Sequence, residues 1–457
     1  MAENTKRLLK LAWETDRKTT FLYYLTAAIG ALTPLASAYV LKLLIDNLQL
    51  VQNSLIVTIP VIITVVLASR YLISFSDGII YWGINQSYLD YVFRYKLQNE
   101  VTLRFHQKVS KLDIAHFEDP KVQNLLTKTR DTMQWQLPDY LRNFSYLFKN
   151  TIAFFSAFLV LLPYGWWIPF LVMIAATPAL YLQAKYGGIR WSIWGSNVPQ
   201  AKKLWYLNYL LQDATAVREI RISQSSESLL NKFKEIQQNL FNLNKNALDK
   251  YLRVLTIPPI ILAVVIFLVA YYFLPDVLVG TLTIGSFTLI ISMLEQLGGR
   301  ASVASANLAH LYESNLYTNH YFELLALPSL MPIAENPIVI KEIKPPKIEF
   351  RNVSFNYPNG QTVLENISFV VEPGESVAMV GHNGAGKTTI VKLLCRFYDV
   401  TDGEILINGI NIKELDLSSW YKFLGTLFQE FVQYHFTIRE NISFGAPDRK
   451  DEKAMIE

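Results

Sequence analysis

Cysteine is almost missing from these 457 residues, with Cys395 standing alone. An internal disulfide is therefore excluded, and every folded part must be held by buried surface instead. Histidine is scarce too, six in all, and no Cys or second His stands at ligand spacing from His116, so that residue reads as packing and not as a metal ligand. The charges nearly cancel: 42 Lys and Arg against 38 Asp and Glu leave +4, too little to argue for a nucleic-acid partner. The N-terminus, Lys6-Arg7-Leu8-Leu9-Lys10 before Glu14 and Asp16, is amphipathic and lacks the apolar core and small-residue cleavage site of a signal peptide. Charge itself is in short supply, at 18% of residues against 51% hydrophobic, an apolar content high for a wholly soluble protein.

What takes the place of charge is concentrated. Five stretches carry no Asp, Glu, Lys or Arg: Thr19 to Leu41, Asn47 to Ser69, Asn150 to Ala184, Val254 to Pro275, and Val277 to Leu294. A membrane helix needs about 20 mostly apolar residues, so four of the five predict one span each. Asn150 to Ala184 is too long for one, and Pro163-Tyr164-Gly165 divides it into two helices joined by a tight turn. Six spans follow; buried helices of a large soluble domain are a poor alternative for so many uncharged runs. The loops at Asn47 to Ser54, Pro163 to Trp167 and Leu274 to Thr281 have no Lys or Arg, whereas the opposite side carries Lys6, Arg7, Lys10, Arg94, Lys96, Arg104, Lys202 and Lys203 among others. That asymmetry predicts cytoplasmic termini. Glu295 falls about midway along the sixth span, with two readings open: a substrate or ion contact, or a cavity-facing structural pair.

The segments Phe75 to Arg142 and Lys185 to Arg253 are longer than membrane loops need to be. Helical periodicity runs on through them, as in Phe93, Leu97, Val101 and Phe105, then Leu211, Ile220, Leu229, Phe233 and Ile236. Each is broken partway, at Ala115-His116-Phe117-Glu118-Asp119-Pro120 and at Val217-Arg218-Glu219-Ile220-Arg221-Ile222. Both breaks read as short transverse helices that touch a nucleotide-binding domain.

That domain is announced by Gly381-His382-Asn383-Gly384-Ala385-Gly386-Lys387-Thr388-Thr389, whose spacing G-x-x-x-x-G-K-T cradles nucleotide phosphates. The glycines let the backbone N–H groups turn inward, and the following helix adds its positive end to the same anion site. Lys387 would reach the β- and γ-phosphates of ATP, and the Thr388 hydroxyl would sit on Mg²⁺. The apolar run Ser376 to Val380 predicts a buried strand before the loop, and Ile390, Leu393, Leu394 and Phe397 predict a helix after it. Pro328, Pro332, Pro337, Pro345 and Pro346 mark a linker ahead. Lys347 to Asn356 and Val363 to Val371 read as antiparallel strands with Asn359-Gly360 as the turn, and Glu404 to Ile407 as a further strand closed by Asn408-Gly409. Tyr357 is positioned to stack on an aromatic base. The predicted organisation is an all-α membrane domain of six helices over 1–326, a linker over 327–346, and an α/β P-loop domain over 347–457.

With its spans first and phosphate loop last, the chain resembles an ATP-binding-cassette exporter half-transporter of the bacterial type. Tyr357 before Pro358, the phosphate loop, Phe428-Gln429-Glu430 and the run Phe436 to Gly445 are the matching motifs. The resemblance implies that Tyr357 stacks on adenine and that Thr389 meets the α-phosphate region. It also implies that Gln429 completes the Mg²⁺ shell. Ala115 to Asp119 would serve one cassette, and Val217, Arg218, Glu219, Ile220 and Arg221 the partner's. The partners implied are a second half-transporter, as homo- or heterodimer, membrane lipids and an unidentified exported substrate, a lipid, peptide or hydrophobic small molecule. The alternative is an ATP-binding regulatory or degenerate half of a heterodimer. In the family, a Leu-Ser-Gly-Gly-Gln signature, a strand ending in Asp-Glu and a switch histidine follow the glutamine loop; none of them occurs up to Glu457, and His435 is too close to Gln429 to be that histidine. The sequence thus reads as a fragment, with the catalytic carboxylate expected beyond Glu457.

Overall fold

A computed structural model describes residues 1–53, 60–196, 198–332, 334–341, 344–357, 360–382, 384–428 and 431–445. The chain divides into two compact units: Met1–Lys111 with Asn124–Leu327, and Leu112–Gln123 with Pro328–Glu457.

The first unit is helical. Its elements are α1 (Ala2–Thr15), α2 (Arg17–Asn53), α3 (Val61–Ser76), which runs on through a π-helical segment Asp77–Leu89 into α4 (Asp90–Val109), and, beyond α5 (Ile114–Glu118) of the second unit, α6 (Pro120–Leu161). A 3₁₀ turn at Leu162–Tyr164 leads to α7 (Trp167–Ser196), α8 (Val198–Leu210), α9 (Ala214–Ile222), α10 (Ser226–Leu255), α11 (Ile257–Val279) and α12 (Ile284–Leu325). Among the described residues, four helical stretches are long and apolar enough to cross a membrane: Arg17–Gln52, Val61–Val109, Pro120–Tyr164 and Ser226–Val279. Trp167–Leu182 is a shorter apolar helix, and α12 carries Glu295 and Arg300 in its first half.

Several span limits differ from the sequence reading. The first long helix continues through Asn53, where a loop at Asn47 to Ser54 is predicted; the next begins at Val61 after the N-cap Pro60 and continues well past Ser69. Helix α11 likewise runs to Val279 and turns at Gly280, so the last long helix starts at Ile284 and not at Val277. A charge-free run records where lipid is tolerated, whereas helix ends are fixed by caps and breakers such as Pro60, Gly280 and the Thr283 hydroxyl that accepts from Ser286 N.

Two large clusters and a smaller one of Leu207, Ile236 and Leu240 form the core of this unit among the described residues. In one large cluster, Leu8, Leu11 and Ala12 of α1 meet Tyr23, the stripe Phe93, Leu97, Val101 and Phe105 of α4, and Tyr321 and Leu324 of α12. In the other, Ala157 and Leu161 pack with Ile168, Val172, Phe273 and Leu289 to Leu297. Helices α2 and α12 approach so closely that a Cβ on Gly285 would lie 2.4 Å from the Lys42 carbonyl oxygen, and Gly285 N donates to Asp46 Oδ1 at 3.0 Å. A polar thread links α2 to the π-helical segment and α4: buried Asn85 donates to Tyr23 O and Thr26 Oγ1, each at 2.7 Å, and Tyr23 OH donates to Asp90 Oδ1 at 2.8 Å. These buried donors are satisfied, as an apolar surrounding requires.

The second unit contains β1 (Ile348–Asn356), β2 (Thr362–Val371), α13 (Lys387–Leu394), β3 (Asp402–Ile407), β4 (Ile410–Asn411), a 3₁₀ turn (Ile412–Glu414), α14 (Leu417–Tyr421) and α15 (Ile438–Ser443). Its sheet has the order β2-β1-β3-β4, antiparallel throughout. Phe350 pairs with Phe369 and Ile405 on its two sides, and the two phenyl rings stack at 4.4 Å. Asn408 and Gly409, both at positive φ, make the tight turn from β3 to β4. Under the sheet, Val353, Phe355, Leu364, Leu393, Ile407 and Trp420 form the core, with Trp420 Nε1 donating to Leu394 O at 2.9 Å.

Ser376 to Val380 is the main departure here. The run forms no ladder, and Val380 is 96% exposed. Among the described residues no strand lies beside it to accept its backbone hydrogen bonds, and an apolar run without such a neighbour has no reason to hold strand geometry.

Candidate nucleotide site

The phosphate loop is built by its glycines. Gly384 and Gly386 sit at φ 86° and 83°, the left-handed region that side chains resist, and a Cβ on Gly386 would lie 2.6 Å from Leu364 Cδ2. The loop therefore folds tightly against β2 and delivers the chain into α13, three residues earlier than the Ile390 start read from periodicity. The first turn of any such helix offers N–H groups without intrahelical acceptors, the arrangement that binds anions. Lys387 Nζ lies over the loop and donates to the carbonyls of Gly381 at 2.7 Å and His382 at 2.8 Å. Thr388 is exposed beside it, and Thr389 is buried with its hydroxyl 3.1 Å from Tyr357 OH. Ala385 N donates to His382 O at 3.2 Å, closing the turn. Glycine backbone, lysine and two threonines thus fit a nucleotide's phosphates and their cation. Asn383 and Gln429 lie outside the described residues.

Helix α13 ends in a Schellman motif: Arg396 takes φ 50°, Phe397 N bonds to Lys392 O and Arg396 N to Leu393 O, each at 2.9 Å. A non-glycine residue is held there because its buried guanidinium donates to Pro332 O at 2.7 Å and Asp399 Oδ1 at 3.2 Å. Phe397 thereby leaves the helix, contrary to the stripe read from sequence, and its ring stacks at 6.0 Å on Phe428. The residue just before Gln429 is thus tied to the end of the phosphate-loop helix. Cys395 is buried, and that burial pushes its thiol above the usual range.

Tyr357 is half-buried at the end of β1, edge-on to Phe355 at 4.9 Å and to Tyr398 at 5.5 Å. Lys392, which stands one helical turn beyond Thr389, places its ammonium 5.3 Å from the Tyr357 ring and 3.2 Å from Glu118 Oε1. Partial burial is the largest single influence and works against that ammonium, but the Glu118 bond and charge together with Tyr357 outweigh it and its pKa rises. Burial and then the Glu118 carboxylate push the Tyr398 phenol well up. Lys392 and Tyr398 were not singled out from sequence. The spacing from Thr389 to Lys392 was the available signal for the lysine.

The two predicted transverse helices have different surroundings. Helix α5 belongs to the second unit: Ala115 is part of its core, His116 is buried with Nδ1 3.8 Å from Asp113 Oδ2, and Phe117 is half-buried. Asp113 Oδ2 accepts from Ser329 Oγ at 3.0 Å and Leu330 N at 2.6 Å, while Asp119 Oδ1 accepts from Lys121 N. Helix α9 belongs to the first unit and is capped by Asp213, whose carboxylate accepts from Thr215 N and Ala216 N. There Ile220 is buried and Val217 half-buried, whereas Arg218, Glu219 and Arg221 are exposed and Ile222 is 85% exposed. Glu295 is exposed in the first unit and has no ion pair among the described residues.

Comparison with known proteins places this geometry. Residues 364–457 match the family described as ABC transporter. The subtilin transport ATP-binding protein SpaT of Bacillus subtilis is 26% identical over 451 residues, 97% of this chain and 71% of that protein. The nisin transport ATP-binding protein NisT of Lactococcus lactis subsp. lactis is 26% identical over 460 residues, 98% of this chain and 73% of its own length. The mitochondrial iron-sulfur clusters transporter ATM1 of Kluyveromyces lactis is 34% identical over 179 residues, 39% of this chain and 25% of that protein. A long apolar helical region followed by an ABC ATP-binding domain makes this chain an ABC exporter half-transporter by class. It is a multi-pass membrane protein of the ATP-driven transporters.

Proposed function

We propose that the protein exports a substrate across the cytoplasmic membrane by alternating access, using ATP binding and hydrolysis at the 381–389 loop. The observation that carries the proposal is one chain holding both a glycine-shaped phosphate loop with Lys387 at its helix start and helices able to span a bilayer. In this reading residues 1–326 form the membrane domain, 327–346 the linker and 347–457 the nucleotide domain, with both termini cytoplasmic because Lys and Arg cluster on that side.

Lys387 exchanges the Gly381 and His382 carbonyls for β- and γ-phosphate oxygens, a trade of neutral for charged acceptors that favours binding. Thr388 and Gln429 would hold Mg²⁺, Thr389 would meet the α-phosphate region, and Tyr357 would offer its ring to the base. Bound Mg-ATP supplies the phosphoanhydride whose cleavage makes the cycle one-way. Two copies, or two related chains, close over two nucleotides, and the better-bound closed state supplies the free energy of the conformational shift. Glu118, the last residue of α5, is bonded to Lys392 beside Tyr357 and carries that shift into its helix, and α9 presents its exposed Arg218, Glu219 and Arg221 to the partner.

The two relatives that align along nearly the whole chain are named for subtilin and nisin, which makes nisin the first cargo to try. Uptake of labelled nisin into sealed inverted vesicles should depend on ATP in the wild type and vanish in Lys387→Ala at equal protein level. Full uptake in Lys387→Ala would defeat the mechanism. ATP hydrolysis without nisin uptake would reject the cargo alone.

A further inference from the structure

The geometry points to a site for one anionic phospholipid at the joint of α1 and α2, its acyl chain in an apolar cleft and its headgroup on the lysines of α1. The cleft measures about 540 Å³, and its lining includes Trp13, Phe21, Tyr24, Leu25 and Phe148 together with Ala28 and Lys10. Such a volume falls within the range of ordinary ligand sites. Trp13 and Phe21 are 45% and 55% exposed, and the Tyr24 ring stands edge-on to Phe144 and Phe148 at 6.2 and 6.1 Å, so the wall is stiff aromatic surface turned outward.

Charge identifies the occupant. Leu8, Leu11 and Ala12 bury one face of α1, which leaves Lys6, Lys10 and Trp13, spaced four and then three apart, on the opposite face. Arg17 and Lys18 follow at the start of α2, where the apolar span begins. The nearby carboxylates are already engaged: Glu3 by Arg7, Glu14 by Arg104 at 3.3 Å, and Asp16 by Lys96. Lys6, Arg17 and Lys18 have no ion pair among the described residues, and Lys10 reaches Glu14 only at 3.8 Å. An amphipathic helix with free cations and a Trp beside an apolar cleft suits an interfacial lipid whose headgroup carries a net negative charge. A zwitterionic lipid would fill the cleft equally but gain less from the cations, because its own ammonium offsets its phosphate.

The test is native mass spectrometry of the purified full chain, offered equal amounts of phosphatidylglycerol and phosphatidylcholine with identical acyl chains. The wild type should retain phosphatidylglycerol over phosphatidylcholine by about thirtyfold, the preference expected from two surface cations. Lys6→Gln with Lys10→Gln should lower the ratio several-fold while both lipids still bind, Arg17 and Lys18 keeping the remainder. Ala28→Trp, which adds an indole to the lining of the cleft, should reduce retention of both. Equal retention of the two lipids by the wild type, an undiminished preference in the double lysine variant, or wild-type retention by a folded Ala28→Trp would each overturn the site. The lysine pair is on the surface and tests the proposal even if Ala28→Trp does not fold.

Discussion

Gly386 decides more than any other single residue in the nucleotide loop. Its φ of 83° and the 2.6 Å approach a Cβ would make to Leu364 combine a backbone penalty with a clash. Gly386→Ala should lower stability by about 1–2 kcal/mol from the left-handed conformation alone, and should weaken ATP binding because the loop cannot then turn its amides inward. Calorimetric unfolding together with an ATP titration reads both. At the start of the first long helix, Asp16 has an analogous role. Its carboxylate accepts from Thr19 N at 3.0 Å and Thr19 Oγ1 at 2.7 Å, and it pairs with Lys96. The Lys96 bond first, then the Thr19 bonds, hold its pKa well below the usual carboxylate range. A depressed acid stabilises fully above its unfolded pKa, near 3.9, and loses that contribution as pH falls through the folded value. Asp16→Asn keeps a cap of similar quality but loses the charge paired with Lys96, so it should cost less than about 1 kcal/mol at pH 7. The gap in melting temperature from wild type should stay constant down to about pH 4 and close only below it.

At the scale of elements, the contact between α5 and α13 is the one to perturb. Glu118 and Lys392 lie 274 residues apart and meet at 3.2 Å, with Lys392 also facing Tyr357. Glu118→Gln should leave ATP affinity within a factor of about 5, since such partly exposed pairs are worth less than about 1 kcal/mol, yet should lower cargo-stimulated ATP hydrolysis relative to the basal rate. Unchanged stimulation would remove Glu118 from the path. This pairing could not be read from sequence, because no local spacing joins residues so far apart. The loop could be read, because its glycines, lysine and threonines act within nine consecutive positions. The α4 stripe from Phe93 to Phe105 was legible for the same reason, as a local period that the core then buries. Helix ends were less so: lack of charge at Asn47 to Ser54 and Val277 to Leu294 says where lipid is allowed, while Pro60 and Gly280 set the actual breaks. Ser376 to Val380 is apolar enough for a strand, but a strand is a property of a pair, and the partner is not in the local sequence.

For the whole molecule, membrane helices and a phosphate loop on one chain have value only if nucleotide at the loop changes what the helices do. Everything in that account passes through Lys387, whose ammonium rests on two loop carbonyls within reach of a phosphate. The most direct measurement is a Mg-ATP titration of the full chain in lipid nanodiscs, followed by fluorescence of a bound nucleotide analogue, with wild type and Lys387→Ala side by side. The account predicts saturable binding by the wild type, displaced by unlabelled ATP, and affinity lower by at least about tenfold, roughly 1.4 kcal/mol, in Lys387→Ala with the protein still folded. Equal binding by the two, or none by a folded wild type, would contradict it.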